Sequence, residues 1–84
     1  MIFIKEEDRM FIEDHDKIVA EIKYKKKNKT TYDIYSTYVS DSLRGQGIGA
    51  MLVETAVTEL EKKGYSVVAS CSYAKKWLEE NRGE

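Results

Sequence analysis

The sequence predicts an α+β fold in which an N-terminal antiparallel meander leads into a strand-helix-strand unit and a final short helix, around a mixed sheet. Three observations predict it. The first half alternates apolar and polar residues between polar reversals, the second half switches to a helical period, and the run RGQGIG, Arg44 to Gly49, marks the switch.

IFIK and RMFIE read as short extended segments joined by acidic turn residues, and Asp14, His15 and Asp16 mark the next reversal. In KIVAEIKYK, Ile18, Ala20, Ile22 and Tyr24 fall on one face and Lys17, Val19, Glu21, Lys23 and Lys25 on the other. That is a half-buried antiparallel strand. Lys26 to Thr30, with Asn28, forms a hairpin loop, and TTYDIYSTYV is rich in the β-branched and aromatic residues that fit a pleated surface.

From Ile48 the period changes. Ile48, Leu52, Val53, Ala56, Val57 and Leu60 make one apolar helical stripe reaching Lys63, and Gly64 closes it as a C′ residue. YSVVAS is expected as a short strand buried on both faces, with Ser72 capping a last helix that buries Ala74, Trp77 and Leu78. A crossover helix makes the strands on either side of it parallel.

The chain has 84 residues, a formal charge of −1, and a single cysteine and histidine. Such a length predicts one domain, residues 1–84, that buries only ~60–65% of its unfolded surface. Balanced charge points to neither a nucleic-acid partner nor a membrane surface. Cys71 alone excludes an internal disulfide, and His15 alone leaves no metal-ligand cluster, so no metal is expected. A reducing cytoplasm is the expected compartment. MIFIKEED turns acidic too early for a signal peptide, and no apolar run approaches the ~18 residues of a membrane span.

Glycines at 45, 47 and 49 are costly beside a helix, at ~1 kcal/mol each relative to alanine inside one. A service other than helix stability is implied. The run SDSLRGQGIG joins a strand to a helix, so its N–H groups point along the helix axis without intrahelical acceptors. Glycines there let an anion approach the main chain, and Arg44 adds positive charge. The spacing also fits a dinucleotide fingerprint with Ala50 in the last slot. That reading fails, because the following strand ends in Ser70 and Cys71 where an acidic residue is needed. A P-loop fails for want of Gly-Lys-Ser/Thr.

The pattern Gln/Arg-x-x-Gly-x-Gly/Ala, here Arg44 to Gly49, resembles the pyrophosphate loop of the GNAT superfamily of CoA-dependent N-acyltransferases. VSDSLRGQGIG together with VVASCSYAKKWLEE is similar to its small single-domain members, across Ile18 to Glu80. The resemblance implies an acetyl-CoA-dependent N-acetyltransferase acting on a small-molecule or peptide amine. It implies that Gln46, Gly47, Ile48 and Gly49 hold the CoA pyrophosphate, within a motif that begins at Arg44 and Gly45. Tyr38 and Val39 would pair with the pantetheine amides between two splayed strands, and Lys75 and Lys76 would face the anionic cofactor.

The catalytic group is less direct. Larger relatives carry a tyrosine acid four residues after an alanine in the last helix, where this chain has Leu78 after Ala74, and Ser36 stands where relatives often have histidine. Cys71, just before a helix N-terminus, is the candidate nucleophile, and Tyr73 the candidate proton donor. A non-catalytic CoA or acyl-CoA binding module is the alternative reading. A third is a partner-binding domain that docks an acidic surface through the lysine-rich hairpin KYKKKNK.

Overall fold

Each polar reversal in the N-terminal half closes a hairpin. In the computed structural model, which describes residues 1–83, β1 (Ile2–Lys5), β2 (Arg9–Asp14), β3 (Lys17–Lys26) and β4 (Thr31–Val39) pair antiparallel in chain order. Strand β5 (Ser66–Ala69) joins β4 in parallel, which makes a mixed sheet in the order β1-β2-β3-β4-β5. His15 and Asp16 adopt φ of 52° and 64°, the left-handed pair that a two-residue hairpin turn requires. In the β3–β4 loop the Asn28 side-chain oxygen accepts from the Thr30 N–H at 3.0 Å.

Two bulges shift the pleat. Ile12 faces Ala20 while Glu13 faces Ile18, so Val19 is the extra residue; Tyr24 faces Ile34 while Lys23 faces Ser36, so Tyr35 is extra. The consequence corrects the strict alternation expected for β3: Ile18 is 36% exposed, and Val19 packs against the core. In β4, Thr37 and Val39 lie opposite the buried Ile22 and Ala20 and share their face.

Helix α1 (Ile48–Lys62) covers that face. Its Leu52, Val53, Ala56, Val57 and Leu60 join Ala20, Ile22 and Ile34 in one buried cluster, and each fully buried aliphatic chain contributes ~1.5–3 kcal/mol. Gly64 ends the helix at φ 93°, and the N–H groups of Gly64 and Tyr65 bond the carbonyls of Glu61 and Leu60.

Strand β5 differs from expectation. It lies at the sheet edge, and only its α1 side is covered, so Val67 is buried but Val68, on the other face, is 38% exposed. Helix α2 (Ser72–Arg82) buries Ala74 and Leu78 with Trp77 packed beside them. Ser72 is its first helical residue, and the N-cap is Cys71. Tyr73 abuts Gly49 at one end of the helix pair and Arg82 reaches Glu61 at 3.4 Å at the other, so the two helices run the same way. Their N-termini therefore sit side by side. Among the described residues, no helix is long and apolar enough to cross a membrane.

Candidate active site

The loop between β4 and α1 explains its glycines individually. After Val39 the chain makes a short 3-10 turn, Asp41–Leu43, that tucks Leu43 into the interior. Gly45 and Gly47 then take φ of 82° and 75°, where an L side chain is strained, although no heavy atom lies within 4 Å of where a Cβ would stand. Conformation, not crowding, selects glycine there. Gly49 has the opposite reason: a Cβ would stand 2.8 Å from the Tyr73 hydroxyl oxygen, so its absence lets α2 approach α1.

This geometry lays out a row of free donors. The first bond into α1 runs from the Met51 N–H to the Gly47 carbonyl at 3.0 Å, while the N–H groups of Gly45, Gln46, Gly47, Ile48, Gly49 and Ala50 find no acceptor among the described residues. Helix α1 has no acidic residue in its first turn, so its positive end is uncompensated. The Arg44 Nε stands 3.2 Å from an Asp41 carboxylate oxygen, and both side chains are well exposed, so this pair contributes little to stability.

A cleft of ≈ 480 Å³ opens beside these donors. Its wall brings together the expected Val39, Arg44, Gly45, Gly47, Ile48, Gly49 and Tyr73, and adds Thr37 and Leu43. Gln46 is exposed at the loop tip, and Lys75 and Lys76 are exposed on α2 outside the wall. Tyr38 is 48% exposed and pairs with Glu21, on the sheet face away from α1. The Ser40 N–H bonds the Val19 carbonyl, which directs the main-chain groups of Tyr38 toward β3 as well; by alternation Thr37 and Val39 turn theirs to the free edge. Thr37 was hidden in the sequence because the Tyr35 bulge changes the count.

That free edge exists because β4 and β5 part company. Their pairing ends at Ile34 and Ala69, where the Ile34 carbonyl accepts both Ser70 and Cys71 N–H groups at 3.1 Å. The Asp33 carboxylate takes a second bond from the Ser70 N–H at 2.7 Å and one from its hydroxyl at 2.9 Å. Beyond this latch, β4 runs on to Val39 with no partner on that side among the described residues.

Cys71 sits at the parting point, half-buried, with Sγ 3.4 Å from the Thr37 hydroxyl oxygen. Burial pushes its thiol pKa up, but Thr37 and the N–H groups of Ala74 and Tyr73 outweigh that and hold it below the ordinary value. The sulfur forms no regular capping bond; the amides turned toward it favour its charged form. At position 78, the expected gap is real: Leu78 is a 4% exposed core residue.

An α+β sheet whose parallel strands splay beside a glycine-lined, donor-rich helix end defines the class of fold that can seat an anion next to an open strand edge. Residues 9–84 match the family model described as GCN5-related N-acetyl-transferase, and the chain belongs to that family. By family it is an acetyl-CoA-dependent N-acetyltransferase. It is 32% identical to a GCN5-like N-acetyltransferase candidate from Staphylococcus aureus solved by NMR, with a TM-score of 0.80, covering 98% of this chain and 81% of that one. A GNAT family acetyltransferase from Elizabethkingia anophelis with acetyl-CoA bound shares the fold at 18% identity and a TM-score of 0.67, over 88% of this chain and 51% of that one. An aminoglycoside 6'-N-acetyltransferase complexed with coenzyme A does so at 22% and 0.64, over 73% and 35%. The chain thus spans about half the length of these larger enzymes, or less. Among curated proteins, none matches it in sequence.

Proposed function

We propose that residues 1–84 act as one domain that lays the diphosphate of acetyl-CoA on the amides of Gln46, Gly47, Ile48 and Gly49, and transfers the acetyl group to an amine. The observation that carries this is the unbroken row of unsatisfied N–H groups from Gly45 to Ala50 beside an open cleft. Gly45 and Gly47 fit the ligand, since nothing fills the space above them. Arg44 lends charge from the rim, with Lys75 and Lys76 at longer range. Val39, with Thr37 in the place expected for Tyr38, offers main-chain groups to the pantetheine amides in the manner of an added strand.

Acetyl-CoA supplies an activated thioester. Cys71, as thiolate, forms a bond from Sγ to the acetyl carbon as the thioester C–S bond breaks, and Tyr73 gives its hydroxyl proton to the departing sulfur. A neutral acceptor amine then takes the acetyl group, loses a proton to Tyr73, and restores the Cys71 thiolate. The acceptor is a small-molecule or peptide amine. A thiol used in this way works in a reducing compartment, and the cytoplasm is the one this reading implies.

Intact mass after incubation with acetyl-CoA tests the route. An adduct of about 42 Da on the wild type, absent in Cys71→Ala and discharged by an amine, supports it. Transfer that persists in Cys71→Ala refutes the covalent step; tight CoA binding with no transfer to any amine leaves a passive binding module.

A further inference from the structure

Far from the glycine loop, beyond the C-terminal end of α1, three tyrosines line a second hollow. Tyr24 of β3, Tyr32 of β4 and Tyr65, one residue before β5, stack edge to face: the first pair of rings is 6.1 Å apart at 69°, the second 4.7 Å at 70°. Met10 and Leu60 contribute apolar surface, and the turn between β1 and β2 brings Glu6, Glu7 and Asp8 to the rim. The inner part measures ≈ 350 Å³ and shares Tyr24, Tyr32 and Tyr65 with a wider outer part. With α1 spanning about 22 Å, this hollow is separate from the cleft at Gly47.

Tyr24 is only 4% exposed, lines the hollow, and its hydroxyl makes no hydrogen bond among the described residues. Among the described residues no buried side-chain oxygen lacks a partner, so this hydroxyl opens to the hollow, where water or a ligand meets it. Burial, then the charges of Asp8 and Glu59, push its phenol pKa up, which keeps the hydroxyl neutral.

Lysines share the rim with the acids, and Lys5 alone of them is ion-paired among the described residues. Lys5 is held by Glu59 at 2.6 Å and the Lys25 ammonium lies over Tyr35 at 5.2 Å; Lys63 is exposed on the far rim. Glu7 and Asp8 have no ion-pair partner among the described residues. One cation already rests on this wall: the Lys26 ammonium is 5.2 Å from the centre of the Tyr65 ring.

We propose that this tyrosine-walled hollow is a second binding site, for an organic cation with an alkylated ammonium head. A weakly hydrated head is required because it must displace Lys26, and aromatic faces favour cations that shed their water easily. The Tyr24 hydroxyl and the carboxylates of Glu7 and Asp8 then surround the charge, while Met10 and Leu60 receive the alkyl groups. Two sources share this chemistry, a free quaternary amine and a methylated lysine side chain.

An NMR titration of the full chain with choline, and with its neutral carbon isostere, tests the site. Choline is expected to shift the ring signals of Tyr24, Tyr32 and Tyr65 and leave the Gly47 and Gly49 amides unmoved, with the isostere binding roughly 2- to 5-fold more weakly. Lys26→Ala, which removes the competing cation at an exposed position, is expected to tighten binding, and Tyr65→Leu to weaken it, with Tyr38→Leu as a neutral control. Equal binding of choline and the isostere, silence of the three tyrosines, or indifference to Lys26→Ala would each overturn the proposal. A trimethyllysine peptide that binds more tightly than free trimethyllysine identifies a protein side chain as the source; equal binding identifies a small molecule.

Discussion

Gly47→Glu puts a carboxylate at the helix cap where the diphosphate is proposed to rest. With two ligand charges about 6 Å from the new one in water, repulsion is about 1.4 kcal/mol, a tenfold loss of CoA affinity. The backbone adds a separate cost, since φ is 75° and an L residue there is strained by ~1–2 kcal/mol, lowering the melting temperature by at least ~4–8 °C. Gly47→Asn separates the two effects: asparagine tolerates the left-handed conformation and carries no charge, so CoA affinity should stay within about threefold. Calorimetric titration with CoA and with pantetheine, at low and high salt, reads the outcome. The diphosphate reading requires a loss for CoA that shrinks with salt and no loss for pantetheine. If Gly47→Glu leaves CoA affinity unchanged at low salt, or weakens pantetheine equally, the amides of this loop do not hold the diphosphate.

Alkylation of Cys71 by iodoacetamide should show a pH midpoint below that of a free thiol, ~8.5, because the folded pKa is lowered; the thiolate is kept to lower pH and lost only as pH falls through that value. Thr37→Val should move the midpoint up, and an unchanged midpoint would remove Thr37 from the site. Gly49→Ala should gain up to ~1 kcal/mol in helix propensity while pushing the half-exposed Tyr73 ring aside. Its signature is a near-neutral change in the urea midpoint with a displaced Tyr73 ring signal and slower transfer. Leu52→Ala should cost ~2.7–5 kcal/mol from a total of roughly 4–13, visible as a sharp fall in the urea midpoint; a loss under 1 kcal/mol would place Leu52 outside the core.

What the sequence conveyed well was local and periodic. The α1 stripe and the Gly64 stop need only the helical repeat and one conformational rule, and the glycine loop announces itself because its residues are poor helix formers at a helix start. Face coverage is different: the apolar run at Val67 and Val68 reads the same whether one face of the sheet is covered or both, and only the packing of α1 on one face exposes Val68 on the other. Ser72 looked like a better cap than Cys71 by side-chain chemistry, yet Cys71, its N–H bonded to the Ile34 carbonyl, is the last extended residue, and the helix starts at Ser72, one residue earlier than a Ser72 cap would place it. Tyr24, Tyr32 and Tyr65 meet only through pairing of distant segments, so no spacing in the chain marks them as a group. Thr37 was missed for a subtler reason, the skipped residue before it.

That skipped residue, Tyr35, decides the parity of everything downstream. Before it, even-numbered residues such as Ile34 look toward α1; after it, the odd-numbered Thr37 and Val39 do. A strand that ran regularly through Tyr35 would send Thr37 away from Cys71 and swing Tyr38 into the interior. The thiol's nearest hydroxyl, and the rim of the cleft with it, thus depend on a single uncounted step in the weave.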